Sequence, residues 1–110
     1  MADKIQKVQL IDGGTANTVV SETMYPVVAN MLFVAEGSVS ASTGAATIVI
    51  AGRNGGEVWN TIDTLSLTLG TAATADFGST TVPWDEVRAS ITAISGTNAT
   101  VDVWMSTGNY

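Results

Sequence analysis

The chain is 110 residues long and carries ten acidic and four basic residues, for a formal net charge of −6, with no histidine and no cysteine. One domain of this length buries roughly 65% of its unfolded surface, so a core forms without staples, and disulfides and thiolate metal sites are excluded in any case. An acidic surface repels phosphate backbones and anionic lipids, which argues against nucleic acid and membrane as partners.

Charged residues make up 13% of the chain, about half the roughly 25% of an average domain. A surface so poor in charge and rich in Thr, Ser, Ala and Gly is that of a chain whose exterior meets other protein. The first ten residues, MADKIQKVQL, place charges where a signal peptide has its apolar core, and no run approaches the ~20 apolar residues of a membrane span. The reading is a soluble, unprocessed chain made in the cytoplasm.

In chain order, Val8, Gln9, Leu10 and Ile11 predict a short strand that the Asp12-Gly13-Gly14 turn stops. Residues 15–26 are irregular, and Pro26 biases Tyr25 toward an extended backbone. Residues 1–30 are therefore expected to form an N-terminal arm and edge strand ahead of a sandwich core at 31–110. Lys4 and Lys7 make the arm locally basic and are candidates for contact with an acidic neighbouring subunit. In residues 31–39, Met31, Phe33 and Ala35 alternate with Leu32 and Val34; with both faces apolar, this strand is expected to lie centrally between covering layers.

Thr47, Ile48, Val49 and Ile50 are β-branched strand formers that lead into an Asn54-Gly55 turn. Beyond it, Leu65, Leu67 and Leu69 alternate with Ser66 and Thr68, a period of two that rejects a helix. Residues 74–77 add one short strand. Residues 82–105 contain two alternating runs, one with Val87, Ala89, Ile91 and Ala93 and the other with Val101, Val103 and Met105. Ser95-Gly96-Thr97-Asn98 joins them, which predicts a β-hairpin with one dry face and a wet face of Arg88, Ser90, Thr92, Asp102 and Trp104. About eight strands and no convincing helix make the chain all-β, a single-domain antiparallel β-sandwich or jelly-roll-like barrel.

Little in the residues points to catalysis. Without histidine or cysteine the chain lacks the usual general base, the commonest transition-metal ligand and the thiol nucleophile. Asp85 and Glu86 are adjacent and point to opposite faces of a strand, which does not suit paired-carboxylate chemistry. Asp12, Asp63, Asp76, Asp85 and Glu86 fall near strand ends but not in a calcium-loop spacing. Gly13-Gly14 and Gly55-Gly56 have no helix or lysine behind them to cradle phosphate. Asn98-Ala99-Thr100 matches a glycosylation acceptor without the secretion signal that would give it meaning. No enzyme activity, catalytic residue, cofactor or metal is expected.

The tryptophans carry the recognition readings. Trp59 and Trp84 are expected to cap the two ends of the core; the alternative, in which their rings stack on sugars, makes the chain a carbohydrate-binding module with a glycan ligand. Trp104 falls opposite the valine stripe and is expected at a subunit contact, with Arg88 and Asp102 on the same wet face.

Two stretches carry a family resemblance. Gly52-Arg53-Asn54-Gly55-Gly56-Glu57-Val58-Trp59 resembles a "G-S-N-D-G-G-x-x-W" turn, here without the aspartate. The run from Val87-Arg88-Ala89 through Ile91-Thr92 and Gly96-Thr97 to Val101 and Val103 resembles a closing "hVRAxITxhxxGTVTVxh" segment, h being apolar, here lengthened at residues 97–100. Together they resemble small β-sandwich structural proteins of tailed-bacteriophage virions, over residues 31–105. The resemblance implies a protein that coats or joins, first of all a capsid decoration (head auxiliary) protein on the outer surface of the phage head. Its partners would be the major capsid protein lattice and copies of itself, as a trimer or dimer. A tail, baseplate or fibre-attachment protein is the related alternative.

Overall fold

The computed structural model describes residues 6–16, 31–56, 58–81 and 84–107. They form seven strands: β1 (Gln6–Gly14), β2 (Met31–Ser38), β3 (Ala41–Arg53), β4 (Asn60–Leu69), β5 (Thr74–Thr80), β6 (Glu86–Thr97) and β7 (Thr100–Thr107). One sheet has the order β1-β7-β2-β5 and the other β4-β3-β6, and every pairing is antiparallel. The two sheets stack as a β-sandwich; they do not close into a barrel. Lys4 and most of the expected arm, residues 17–30, lie outside the described residues.

Period-two alternation builds the core. On β2, Met31, Phe33 and Ala35 point inward; they meet Ile48 and Ile50 of β3, Leu65, Leu67 and Leu69 of β4, and Val87, Ala89 and Ile91 of β6, all buried in one cluster. Val101, Val103 and Met105 complete it from β7. Each fully buried Leu, Ile, Val, Phe or Met contributes about 1.5–3 kcal/mol, so this inner layer dominates the stability of a chain without staples.

The most consequential difference from the sequence reading is in the last two strands. β6 pairs with β3 and β7 with β1 and β2, so β6 and β7 belong to different sheets and their connection is an arch across the core, not a hairpin. An arch and a hairpin leave the same mark on a sequence, because both need one dry face per strand and a tight polar corner. The corner uses Gly96 at φ 119° and Asn98 at φ 50°, and the Ala99 N–H reaches back to the Gly96 carbonyl at 3.4 Å. It is also tied to the β2–β3 crossing, where the Ser40 N–H donates to the Thr97 carbonyl at 2.9 Å and Asn98 Nδ2 donates to Ser40 Oγ at 3.1 Å. The Asn54-Gly55 hairpin does form, between β3 and β4, with Gly55 at φ 68°.

Two edge strands, β4 and β5, run along the same side of the sandwich and satisfy one another through side chains. Asp76 Oδ2 accepts the Ser66 N–H at 3.0 Å, and Thr74 Oγ1 donates to the Thr68 carbonyl at 2.9 Å. Edge groups that would otherwise template another strand are thereby occupied. At the far end of β3 a register shift between Ile50 and Ala51 turns Gly52 beneath Trp84, and a Cβ at Gly52 would stand 2.6 Å from Trp84 Cδ2. The ring packs against the core, and its Nε1 donates to Thr80 Oγ1 at 3.4 Å. Trp84 is thus the cap expected of it.

Urea titrations should separate these contributions. Phe33→Ala, at a position with no exposed surface, is expected to cost about 3–5 kcal/mol. Gly52→Ala, which must displace the Trp84 ring, is expected to cost about 1–3 kcal/mol. A Phe33→Ala loss under about 1 kcal/mol would contradict the central place of β2 in this core.

Candidate functional site

The arch separates residues that the sequence placed together. Arg88 leaves β6 on the outer face of the three-stranded sheet, whereas Asp102 and Trp104 leave β7 on the outer face of the four-stranded sheet. The expected wet face therefore does not exist as one surface; there are two, on opposite sides of the molecule. Lys7 lies in β1, paired in register with Ser106.

On the three-stranded sheet, Arg88 joins Trp59, Arg53 and Glu86. The guanidinium carbons of Arg53 and Arg88 stand 4.5 Å and 4.3 Å from the Trp59 ring centroid. Arg53 also forks onto Glu86, with Nε to Oε1 at 2.9 Å and Nη2 to Oε2 at 3.2 Å. Trp59 is therefore not the second cap of the core. It lies outside the sheet, because the turn after β3 carries it back over the strand's outer side to two flat cations that bind a ring face. The hydrogen bond from Arg53, together with its charge, holds the Glu86 carboxyl below the ordinary carboxylate range against a smaller opposing effect of burial. Two guanidinium groups thus occupy this ring.

The four-stranded sheet presents a different exterior, a grid in three rows read from the register. The first row contains Ser106, Leu32 and Ser79; the second contains Gln9, Trp104, Val34 and Phe77; the third contains Asp102, Glu36 and Ala75. Phe77 is 69% exposed and Leu32 39%, while Val34 and Trp104 are half-buried. Asp102 braces its own neighbourhood. It accepts the Gly13 N–H at 2.6 Å and stands 3.5 Å from Gln9 Nε2, tying down β1 where two register shifts and the positive φ of Gly13 distort the ladder. The expectation that β2 is covered on both faces holds only for its inner side among the described residues. Phe77 was not a sequence candidate, and the signal that could have found it was a lone aromatic in a strand otherwise made of Thr, Ala, Asp, Gly and Ser.

Two further acids, Asp63 and Asp76, serve the backbone. Asp63 Oδ1 accepts the Thr64 N–H at 2.8 Å, Asp76 spans β4 and β5 as above, and the Asp85 N–H donates to Asn54 Oδ1 at 2.6 Å. Among the described residues no three His, Cys, Asp or Glu side chains gather where they would hold a metal. An open concavity of about 500 Å³ at the β6–β7 corner is lined by Thr15, Ile94, Ser95, Gly96, Asn98, Ala99 and Thr100, none of them ionisable.

The Arg53–Glu86 pair has a defined pH signature. Because the folded Glu86 carboxyl titrates below its unfolded value, the pair stabilises the fold above the unfolded pKa, and that contribution disappears as pH falls through the folded one. Glu86→Gln should therefore lower the melting temperature at pH 7, and the gap to wild type should close as melts are repeated toward pH 3. An equal gap at both pH values would show that the carboxylate charge is not what matters.

Compared with protein-family models, with curated proteins and with solved structures, the chain matches none.

Proposed function

We propose that the chain is a non-enzymatic structural protein that attaches to a larger protein assembly, in its most specific form a capsid decoration protein on the outer surface of a phage head. The observation that carries the structural reading is the row of Trp104, Val34 and Phe77 across an outer sheet face, with Leu32 beside it. On a chain with 13% charged residues, such a row is an exterior built to be covered by protein. The phage assignment rests on the resemblance of the turn at residues 52–59 and of residues 87–103. A tail, baseplate or fibre-attachment subunit uses the same physics at another place in the virion.

The mechanism is linkage. A protein that binds the assembled capsid lattice and not its free subunits stabilises the lattice by RT ln(1 + [L]/Kd), about 2.7 kcal/mol per site at a hundredfold excess over Kd. A unit with two or more attachment points bridges neighbouring capsomers and gains further by effective concentration. The sugar-binding alternative has less behind it, since Trp84 packs on the core and Trp59 is held by Arg53 and Arg88.

The test compares native particles with particles stripped of the protein, scoring DNA release on heating and after transfer to low salt. Stripped heads should release DNA at lower temperature and recover on adding back purified protein. Equal heat resistance of the two preparations would sink the decoration reading.

A further inference from the structure

We propose that Asp63 on β4 and Asp76 on β5 form a two-way carboxylate clasp across the seam between the two sheets. The clasp closes the β4 edge to strand addition, and without it β4 pairs edge to edge with β4 of a second copy. The inference goes beyond the decoration reading and stands without it.

The need for a clasp lies in β4. Residues 64–75 contain no charged side chain and no proline, and Thr64, Ser66 and Thr68 alternate with Leu65, Leu67 and Leu69. Uncharged, proline-free segments with the alternation of a strand pair with copies of themselves when they lie on an open edge. β4 is such an edge, the first strand in the order β4-β3-β6. The backbone groups of Ser66 and Thr68 point away from β3, since the Ser66 N–H donates to Asp76 and the Thr68 carbonyl accepts from Thr74 Oγ1.

An acid stands at each end of the uncharged run, and the fold turns both into the seam. Asp63 is the register partner of Ile50, and Asp76 of Ala35; neither Ile50 nor Ala35 has any exposed surface. Register partners share a face, so both acids stand on the inward side of their strands. Asp63 thus continues the row of Leu69, Leu67 and Leu65 with a carboxylate where the alternation would place a further apolar residue.

The two carboxylates cross the seam in opposite directions. From β5, Asp76 Oδ2 accepts the Ser66 N–H of β4 at 3.0 Å, while its Oδ1 accepts the Phe77 N–H at 2.9 Å. From β4, Asp63 Oδ1 accepts the Thr64 N–H at 2.8 Å. Its Oδ2 lies against Gly78 of β5, where any side chain would collide with it. Gly78 is therefore the residue that lets Asp63 reach across.

Inward-pointing charges on edge strands are a device by which sheets avoid edge-to-edge pairing. A strand arriving at β4 has to displace Asp76 from the Ser66 N–H and cover the Asp63 carboxylate, and a covered carboxylate without a counter-ion is unfavourable. When the arriving strand is β4 of another copy, it brings its own Asp63, so like charges meet as well. A subunit that joins others through chosen contacts loses that choice if any edge can add a strand, and the clasp removes this edge from the contest.

The chain has no cysteine, so Ser66→Cys, at an exposed position on the β4 edge, reports contact between two such edges by cross-linking with a short bis-maleimide. In that parent, Asp63→Ala combined with Asp76→Ala should keep the circular-dichroism spectrum of a β protein, gain average mass with concentration in sedimentation velocity, and cross-link about tenfold faster or more. Adding Thr68→Lys restores a charge beside the same edge and should return the cross-linking rate to that of the parent. In Asp76→Ala alone, without the cysteine, the Ser66 amide should exchange with deuterium about tenfold faster or more. A double variant that cross-links no faster than the parent would overturn the inference. So would cross-linking that Thr68→Lys does not reverse, because association of unfolded chains does not depend on one charge at one edge, and so would a Ser66 amide that exchanges in Asp76→Ala as it does in wild type. The heat test on particles is a separate measurement, so failure of one reading leaves the other standing.

Discussion

The structure depends on the requirement that each strand bury every second side chain against a sheet it is not hydrogen-bonded to. Phe33 on β2 and Ile48 on β3 meet in this way: the chain crosses from one sheet to the other between them, at Val39 and Ser40, and both strands then close over the same core. Crossings of this kind recur at β4–β5, β5–β6 and β6–β7. Because the β2–β3 and β4–β5 crossings join strands that face one another, hydrophobic burial and chain connectivity reinforce each other there, and no covalent staple is required.

Crossings need tight corners, and the residues at them are chosen for backbone freedom rather than for chemistry. Gly96 and Asn98 take positive φ at the β6–β7 corner, and Gly44 lies so close to the Ser95 carbonyl that a side chain there would collide with it. The hydroxyl and amide groups of Ser40 and Asn98 join two neighbouring corners. What looks in the sequence like a run of small polar residues is a hydrogen-bonded end to the sandwich. The acids behave similarly: Asp76, Asp63 and Asp102 accept backbone N–H groups, a local structural use that explains their scatter along the chain better than any shared site.

With the inner faces devoted to the core, differences between the two outer faces become the place to look for function. The three-stranded sheet is closed locally by its own cations, which hold Trp59 and pair with Glu86. The four-stranded sheet exposes Phe77 and part of Leu32 on its outer side. The proposed role in an assembly draws on this asymmetry.

Much of this was legible in the sequence. Alternation at residues 31–35, 65–69, 87–91 and 101–105 determined strands, their inward residues and the two-layer all-β class, because period two follows from the pleat of a single strand. The Asn54-Gly55 turn was equally local, since its residues alone permit the backbone it needs. What only the tertiary structure decided is which strands neighbour which. A hairpin and an arch share one hydrophobic pattern, so the sequence could not show that β6 and β7 part company at Thr97. Nor could it show that Arg88 would end beside Trp59 while Trp104 joined Val34 and Phe77. Those neighbours come from different strands, brought together by pairings that local pattern does not encode.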